Sequence, residues 1–121
     1  MAARLGVLVV DDDPDIRAFM AASLEDSGYE VRTAVDGGVA LALLRAWRPD
    51  LILLDLMMPR VDGWAFRQAQ LAQKRLAAIP VVVMSAGYGA QNQAKKLATA
   101  AGLDKPFDLN ELLATVAALT N

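Results

Sequence analysis

Five short apolar runs alternate with stretches of helical periodicity along the whole chain. The runs lie near residues 5–10, 30–34, 51–54, 80–84 and 102–104. Strands that alternate with helices are typical of a parallel sheet covered by helices on both faces. A chain of 121 residues has room for only one such core. The pattern therefore predicts a single α/β domain over residues 1–121, built as a doubly wound (βα)5 sheet of five parallel strands.

The order of the strands decides where a binding site can form. A (βα)5 sheet of this length most often has the flavodoxin-like order 2-1-3-4-5, with its site at the switch point between strands 1 and 3. Those two strands run into Asp11-Asp12 and into Asp55. Burying an unpaired carboxylate costs far more than leaving it in water. An aspartate at the exit of a buried strand therefore indicates a chemical role.

Capping residues and apolar spacing predict five helices. Asp13 as N-cap and Pro14 at the first position start the first helix, and Gly28 ends it. Asp108 and Glu111 open the last helix at capping-box spacing. The apolar positions expected to face the sheet are Ile16, Phe19, Met20 and Leu24 in the first helix; Val39, Ala40, Leu43, Leu44 and Trp47 in the second; Trp64, Phe66 and Ala69 in the third; Ala90, Ala94, Leu97, Ala98 and Ala101 in the fourth, near 90–101; and Leu109, Leu112, Leu113, Val116 and Ala117 in the fifth.

The residue types that are missing exclude several kinds of site. The chain has no His and no Cys, so Ser-His-Asp and Cys-His catalysis within it are impossible. Most zinc sites are excluded as well. Hard oxygen ligands remain, and these suit Mg²⁺ or Mn²⁺. A net charge of −2, without a long basic cluster, argues against direct nucleic-acid binding.

The lengths of the apolar runs also indicate where in the cell the protein is located. They are well short of the ~18 residues that a membrane-spanning helix needs, so we expect no membrane insertion. Residues 1–4 lead straight into the first strand and leave no space for a signal peptide. We therefore expect a cytoplasmic location.

Reactive residue types end the strands at one edge of the predicted sheet. Carboxylates ~4 Å apart repel by about 4 kcal/mol at an effective dielectric near 20, so Asp11, Asp12 and Asp55 need a proton or a cation between them. Taken singly, Lys105 fits a surface lysine as well as it fits a site residue, and Ser85 alone is better interpreted as an ordinary loop hydroxyl. Together, a metal, an ammonium, a hydroxyl and a carboxylate nucleophile form a site for a phosphoryl group.

These positions resemble the signature of bacterial response-regulator receiver domains, over essentially the whole chain. The residues that carry the resemblance are Asp11-Asp12, Asp55, Met58-Pro59, Asp62-Gly63, Ser85-Ala86 and Lys105-Pro106. The resemblance implies that Asp55 accepts a phosphoryl group from a phosphohistidine of a partner histidine kinase or histidine phosphotransfer protein. It also implies that Asp12, Asp55 and the Met57 backbone carbonyl bind Mg²⁺ directly, and that Asp11 does so through water.

The resemblance further implies a switch that contacts the phosphoryl group. Lys105 would bind the phosphoryl oxygens, Ser85 would move to hydrogen-bond one of them, and Ala86 belongs to the same contact set. An output protein that the sequence does not name would read the change. The chain would then be a signalling domain and not an enzyme with an external product.

The chain also departs from the family pattern. The interval from Ser85 to Lys105 is shorter than usual, and Gly102 stands where an aromatic normally lies three residues before the lysine. In the fourth predicted helix only Leu97 is a large apolar anchor, so we expect residues 87–104 to be the least stable part of the fold. Phosphorylation would order or shift this segment. Tyr88 is a candidate partner contact and equally an ordinary loop tyrosine.

Other functional classes remain as alternatives at this point. A pseudo-receiver that binds a partner regardless of phosphorylation is favoured slightly by the altered fourth helix and fifth strand. A small Mg²⁺-dependent phosphatase is disfavoured, because Met57 stands where a second acid would be needed. Flavin binding is disfavoured, because no Ser/Thr/Gly-rich phosphate loop follows the first strand.

Overall fold

The computed structural model describes residues 4–56, 63–86 and 89–120, without the side chains of Ala86 and Gln91. The strands in these ranges are β1 (Gly6–Val10), β2 (Glu30–Ala34), β3 (Leu51–Asp55), β4 (Val81–Ala86) and β5 (Ala101–Lys105). The helices are α1 (Pro14–Asp26), α2 (Gly37–Leu43), α3 (Gly63–Leu71), α4 (Lys74–Ala77), α5 (Ala90–Leu97) and α6 (Leu109–Thr120). None of these helices is both long and apolar enough to cross a bilayer.

The five strands form one parallel sheet in the order β2-β1-β3-β4-β5. This confirms the predicted fold class and strand order. β1 and β3 are neighbours, so the strands that lead into Asp11 and Asp55 end side by side. Further along the same edge, Ser85 pairs with Asp104 and Ala86 with Lys105. The sheet therefore gathers the predicted reactive residues of β3, β4 and β5, and of the turn after β1, at its carboxyl edge.

Alternate residues of the central strands face two separate apolar layers. Leu8 and Ile52 belong to the layer that packs with α2, α3 and α5, whereas Val9 and Leu53 belong to the layer that packs with α1 and α6. All four are fully buried. Because both faces are covered, these strands read in the sequence as continuous apolar runs without polar alternation.

The predicted helix caps are confirmed at two helices. Asp13 accepts hydrogen bonds from the backbone N–H groups of Asp15 and Ile16, at 2.9 and 3.2 Å. Asp108 accepts one from the Glu111 N–H at 2.7 Å. These side chains bind helix N–H groups that have no partner within the helix. They explain why α1 and α6 begin where the sequence predicts.

Several apolar positions predicted to face the sheet are instead exposed. They are Phe19, Val39, Trp64 and Leu109, each more than a third exposed, and the small Ala98. The buried stripe of each helix is narrower than the apolar pattern suggested, since a residue next to a buried position points about 100° away from it. The fourth predicted helix is also too long. It ends at Leu97, where Ala98 takes a left-handed conformation, and Ala101 belongs to β5.

Candidate functional site

Three carboxylates meet at the carboxyl edge of β1 and β3. One oxygen each of Asp11, Asp12 and Asp55 lie within 4.8 Å of one another. Asp11 is fully buried and Asp55 is 5% exposed, whereas Asp12 is exposed. The structure thus brings the three predicted acids together in a cluster that opens to solvent on the Asp12 side.

Lys105 extends from the end of β5 to two of these acids. Its Nζ donates to Asp11 Oδ2 at 2.6 Å and lies 3.4 Å from Asp55 Oδ2. Burial by itself lowers the pKa of Lys105, but the hydrogen bond to Asp11 and the charges of Asp11 and Asp55 outweigh it, and the net shift is upward. Lys105 is therefore protonated at neutral pH and places a fixed positive charge between two buried acids.

Asp11 is held in place from several sides. Its Oδ1 accepts from the Asp13 N–H at 2.9 Å, and its backbone carbonyl accepts from Arg17 Nη1 at 2.8 Å. Its own N–H donates to the Ala34 carbonyl at 3.1 Å. Arg17 was not identified from the sequence. Its position could have indicated this contact, because Arg17 lies one turn into the helix that follows the acidic residues. Asp11 thus acts chiefly as an anchor for Lys105 and for the turn after β1.

The cluster fits a small divalent cation. Its donors are carboxylate oxygens, which are the ligands that Mg²⁺ and Mn²⁺ prefer. Both oxygens of Asp11 already accept hydrogen bonds, from Asp13 and Lys105, which fits an indirect role for Asp11. Asp12 is the exposed acid, and so offers its carboxylate to an ion entering from solvent. Met57, the implied source of a backbone ligand, lies outside the described residues.

The other implied contact residues lie on β4. Ser85 is half-buried at the strand end, one residue beyond Met84, which pairs with Asp55. Its neighbour Ala86 pairs through the backbone with Lys105. Ser85 therefore stands at the same edge as Asp55, on the next strand. Tyr88, the candidate partner contact, falls in a segment that the structure does not describe.

An apolar cavity of about 340 Å³ opens beside Lys105. It is lined by Ile16, Phe19, Lys105, Pro106 and Phe107. Sequence reasoning assigned Phe19 to the core, but half of this side chain is exposed. Phe19 therefore lines the cavity next to the site, and does not pack under the sheet.

Lys105→Met is expected to lower the free energy of unfolding by about 2 kcal/mol without added metal. Methionine keeps the length of the side chain but removes the ammonium, which leaves the fully buried Asp11 carboxylate without its cation. Removing one partner of a fully buried pair typically costs 3–5 kcal/mol, and the partial exposure of Lys105 reduces this. Urea unfolding with a chelator present measures the loss. The control is Lys74→Met, at an exposed lysine of α4. Equal stabilities for the two variants would contradict a role for Lys105 as the counter-ion.

Comparison with known proteins agrees with this geometry. A model of the response regulator receiver domain family matches residues 7–117. The DNA-binding dual master transcriptional regulator RpaA of Synechocystis is 43% identical over 93% of this chain and 48% of its own length. The transcriptional regulatory protein PrrA of Mycobacterium bovis is 44% identical over the same shares. The chain thus spans about half the length of these curated relatives.

Comparison with a solved structure of similar size points to the same family. The chemotaxis protein CheY4 of Vibrio cholerae superposes with a TM-score of 0.87 at 33% identity, over 97% of this chain and 99% of that one. The fold, the family match over residues 7–117 and the relatives above 40% identity all point to one family. The chain belongs to the response regulator receiver domains of bacterial two-component signalling.

Proposed function

We propose that Asp55 is the phosphoacceptor of this chain, and that residues 1–121 act as one phosphorylation-controlled switch in a two-component phosphorelay. The observation that carries the proposal is the position of Lys105 Nζ, 2.6 Å from Asp11 and 3.4 Å from Asp55, beside the exposed Asp12. A carboxylate nucleophile, a fixed cation and an open acidic face are the parts that phosphoryl transfer needs.

Each residue has a distinct part in the proposed transfer. A carboxylate oxygen of Asp55 attacks the phosphorus of a phosphohistidine; the new P–O bond forms as the P–N bond breaks, and the electron pair returns to the donor's imidazole. Lys105 neutralises the phosphoryl oxygens from its present place beside Asp55. Ser85, on the neighbouring strand, donates a hydrogen bond to one of those oxygens. The adjacent Ala86 also contacts the phosphoryl group.

The proposed cofactor is Mg²⁺ or Mn²⁺. Asp12 and Asp55 would bind the ion directly with the Met57 backbone carbonyl, and Asp11 would act through water. When bound, the ion supplies positive charge that offsets the phosphoryl oxygens during transfer. Asp11 keeps Lys105 beside Asp55 throughout, because Asp11 is itself fixed by the turn after β1.

The proposed partners follow from the family. A histidine kinase or a histidine phosphotransfer protein donates the phosphoryl group in the cytoplasm, and an output domain or protein reads the result. Two similar proteins are named as transcriptional regulators and one as a chemotaxis protein. With a net charge of −2, we assign this domain no direct nucleic-acid contact. It is proposed to be a signalling domain whose product is its own phosphorylated state.

Intact-protein mass spectrometry with acetyl phosphate tests this proposal. With Mg²⁺, the wild-type chain is expected to gain the mass of one phosphoryl group. Addition of a chelator, or Asp12→Ala, should reduce uptake by about tenfold or more, because the charge that offsets the phosphoryl oxygens is lost. Mg²⁺ should also raise the melting temperature of the wild type but not of Asp12→Ala.

The matched control is Asp26→Ala, which removes an exposed acid at the far end of α1. It should keep both the uptake and the response of the melting temperature to Mg²⁺. Uptake that is equal with and without metal would contradict the proposed cofactor. The absence of any uptake in the wild type would contradict the proposed function itself.

A further inference from the structure

The start of α5 is held by a residue of β5. Asp104 Oδ1 accepts hydrogen bonds from the backbone N–H groups of Gly89 and Ala90, at 3.0 and 2.9 Å. Gly89 is the N-cap residue and has no side chain that could do this locally. A carboxylate at this end also matches the positive pole of the helix dipole. The start of α5 therefore depends on a residue 14 to 15 positions later in the chain.

The end of α5 is held by a residue of α3. Arg67 donates from Nε to the Leu97 carbonyl at 3.2 Å and from Nη2 to the Ala98 carbonyl at 2.8 Å. Its Nη1 donates to Gln70 Oε1 at 2.8 Å, and Gln70 donates in turn to the carbonyls of Leu76 and Ile79. Arg67 is only 6% exposed. A buried cation thus binds the negative pole of the helix dipole.

Between these two ends, α5 packs against the sheet mainly through small apolar side chains. Among the side chains of α5 that the structure describes, Ala90 and Ala94 are buried, and Leu97 is only partly buried. Within the described part of the chain, the buried Oε1 of Gln93 has no hydrogen-bond partner. An unpaired buried acceptor is unfavourable. The position of α5 therefore depends on polar contacts at its two ends more than on apolar packing.

Both end contacts adjoin the proposed phosphorylation site. Asp104 directly precedes Lys105 and pairs across the sheet with Ser85, so the two proposed phosphoryl-binding residues flank it. Arg67 lies one turn after Gly63, whose N–H donates to the Leu56 carbonyl next to Asp55, at 3.3 Å. The Asp104 end thus adjoins two phosphoryl-binding residues directly, whereas the Arg67 end lies a helical turn further from Asp55.

We propose that Asp104 and Arg67 form a clamp on α5, and that phosphorylation of Asp55 opens its Asp104 end while the Arg67 end holds. This inference rests on the proposed function. Ser85 moves to donate a hydrogen bond to the phosphoryl group, and Asp104, which pairs with Ser85 across the sheet, moves with it. Hydrogen bonds of 2.9 and 3.0 Å fail beyond about 3.5 Å, so a displacement of well under 1 Å is enough. Because Gly102 stands where the family pattern has an aromatic side chain, no aromatic at that position can report phosphorylation in this chain. The clamp on α5 reports it instead.

Amide hydrogen exchange of the full chain with Mg²⁺, with and without acetyl phosphate, tests the clamp. In the wild type, phosphorylation should speed exchange of the Gly89 and Ala90 amides about tenfold or more, the change expected for loss of a charge-assisted hydrogen bond. Exchange near the end of α5 should stay constant. In Asp104→Ala these amides should already exchange fast, and phosphorylation should change them no further. Asp104→Asn keeps an acceptor oxygen and should restore part of the protection.

The control is Asp108→Ala, which removes the cap of α6. It should speed exchange at the start of α6 and leave the phosphorylation response of α5 intact. Wild-type protein that takes up the phosphoryl group without any change at Gly89 and Ala90 would overturn the clamp and leave the proposed function standing. So would a normal response in Asp104→Ala. The absence of phosphoryl uptake would overturn both, and intact mass separates these outcomes.

Discussion

Asp55→Asn is expected to abolish phosphoryl uptake and to leave the fold intact. The amide has nearly the shape of the carboxylate, and it fits a position that is 5% exposed at the end of β3. However, it carries no anionic oxygen to attack phosphorus. Lys105 would still have its 2.6 Å contact with Asp11, so the surroundings of the site should persist. Intact mass after incubation with acetyl phosphate and Mg²⁺ measures the effect.

Asp50→Asn is the matched control at the opposite end of the same strand. Asp50 directly precedes β3 and accepts a hydrogen bond from the Gly6 N–H at 2.7 Å. An amide oxygen can accept the same bond. This variant should therefore take up the phosphoryl group as the wild type does. Uptake by Asp55→Asn at the wild-type level would rule out Asp55 as the acceptor.

Gly63→Ala is expected to lower the free energy of unfolding by about 3 kcal/mol, at the upper end of the usual cost of overpacking. An added Cβ at this first residue of α3 would lie 2.6 Å from the Leu56 Cα and 2.7 Å from the Asp55 carbonyl oxygen. Both are backbone atoms and cannot rotate away, so α3 or the exit of β3 must shift. A shift at the exit also misplaces the Asp55 carboxylate, and phosphoryl uptake should fall by about tenfold or more.

The control for this substitution is Gly38→Ala, at an exposed glycine of α2. Alanine favours a helix over glycine by about 1 kcal/mol, so this variant should be as stable as the wild type or more so. Urea unfolding measures the stability of both. If Gly63→Ala were as stable as Gly38→Ala and kept full uptake, the close approach of α3 to β3 would have no functional importance.

The sheet and its reactive edge could be predicted because their signals are local. Burial on both faces makes β1 and β3 continuous apolar runs, and the residue that follows each run necessarily lies at the carboxyl edge. The strand order came from the general behaviour of (βα)5 sheets, and the structure confirms it. The caps Asp13 and Asp108 are likewise read within one helical turn.

The contacts that hold α5 could not be predicted, because they join residues far apart in the chain. Asp104 was assigned only to the end of a strand, and its acceptor role depends on the pairing of β5 with β4. Arg67 binds carbonyls 30 and 31 residues later, and no local spacing indicates a buried guanidinium. The short helix α4 was not predicted either. The predicted lability of residues 87–104 stays a prediction. From the sequence we expect phosphorylation to order or shift this segment, whereas the clamp implies that phosphorylation loosens its start at Gly89 and Ala90.

Peptide mapping of the phosphorylated chain tests the central claim most directly. Borohydride reduces an aspartyl phosphate to homoserine, and this marks the modified residue for tandem mass spectrometry. The proposed function predicts homoserine at Asp55 and none at Asp11 or Asp12, although the three carboxylates lie within 4.8 Å of one another. Homoserine at Asp11 or Asp12 in place of Asp55, or phosphoryl uptake without homoserine at any aspartate, would contradict it.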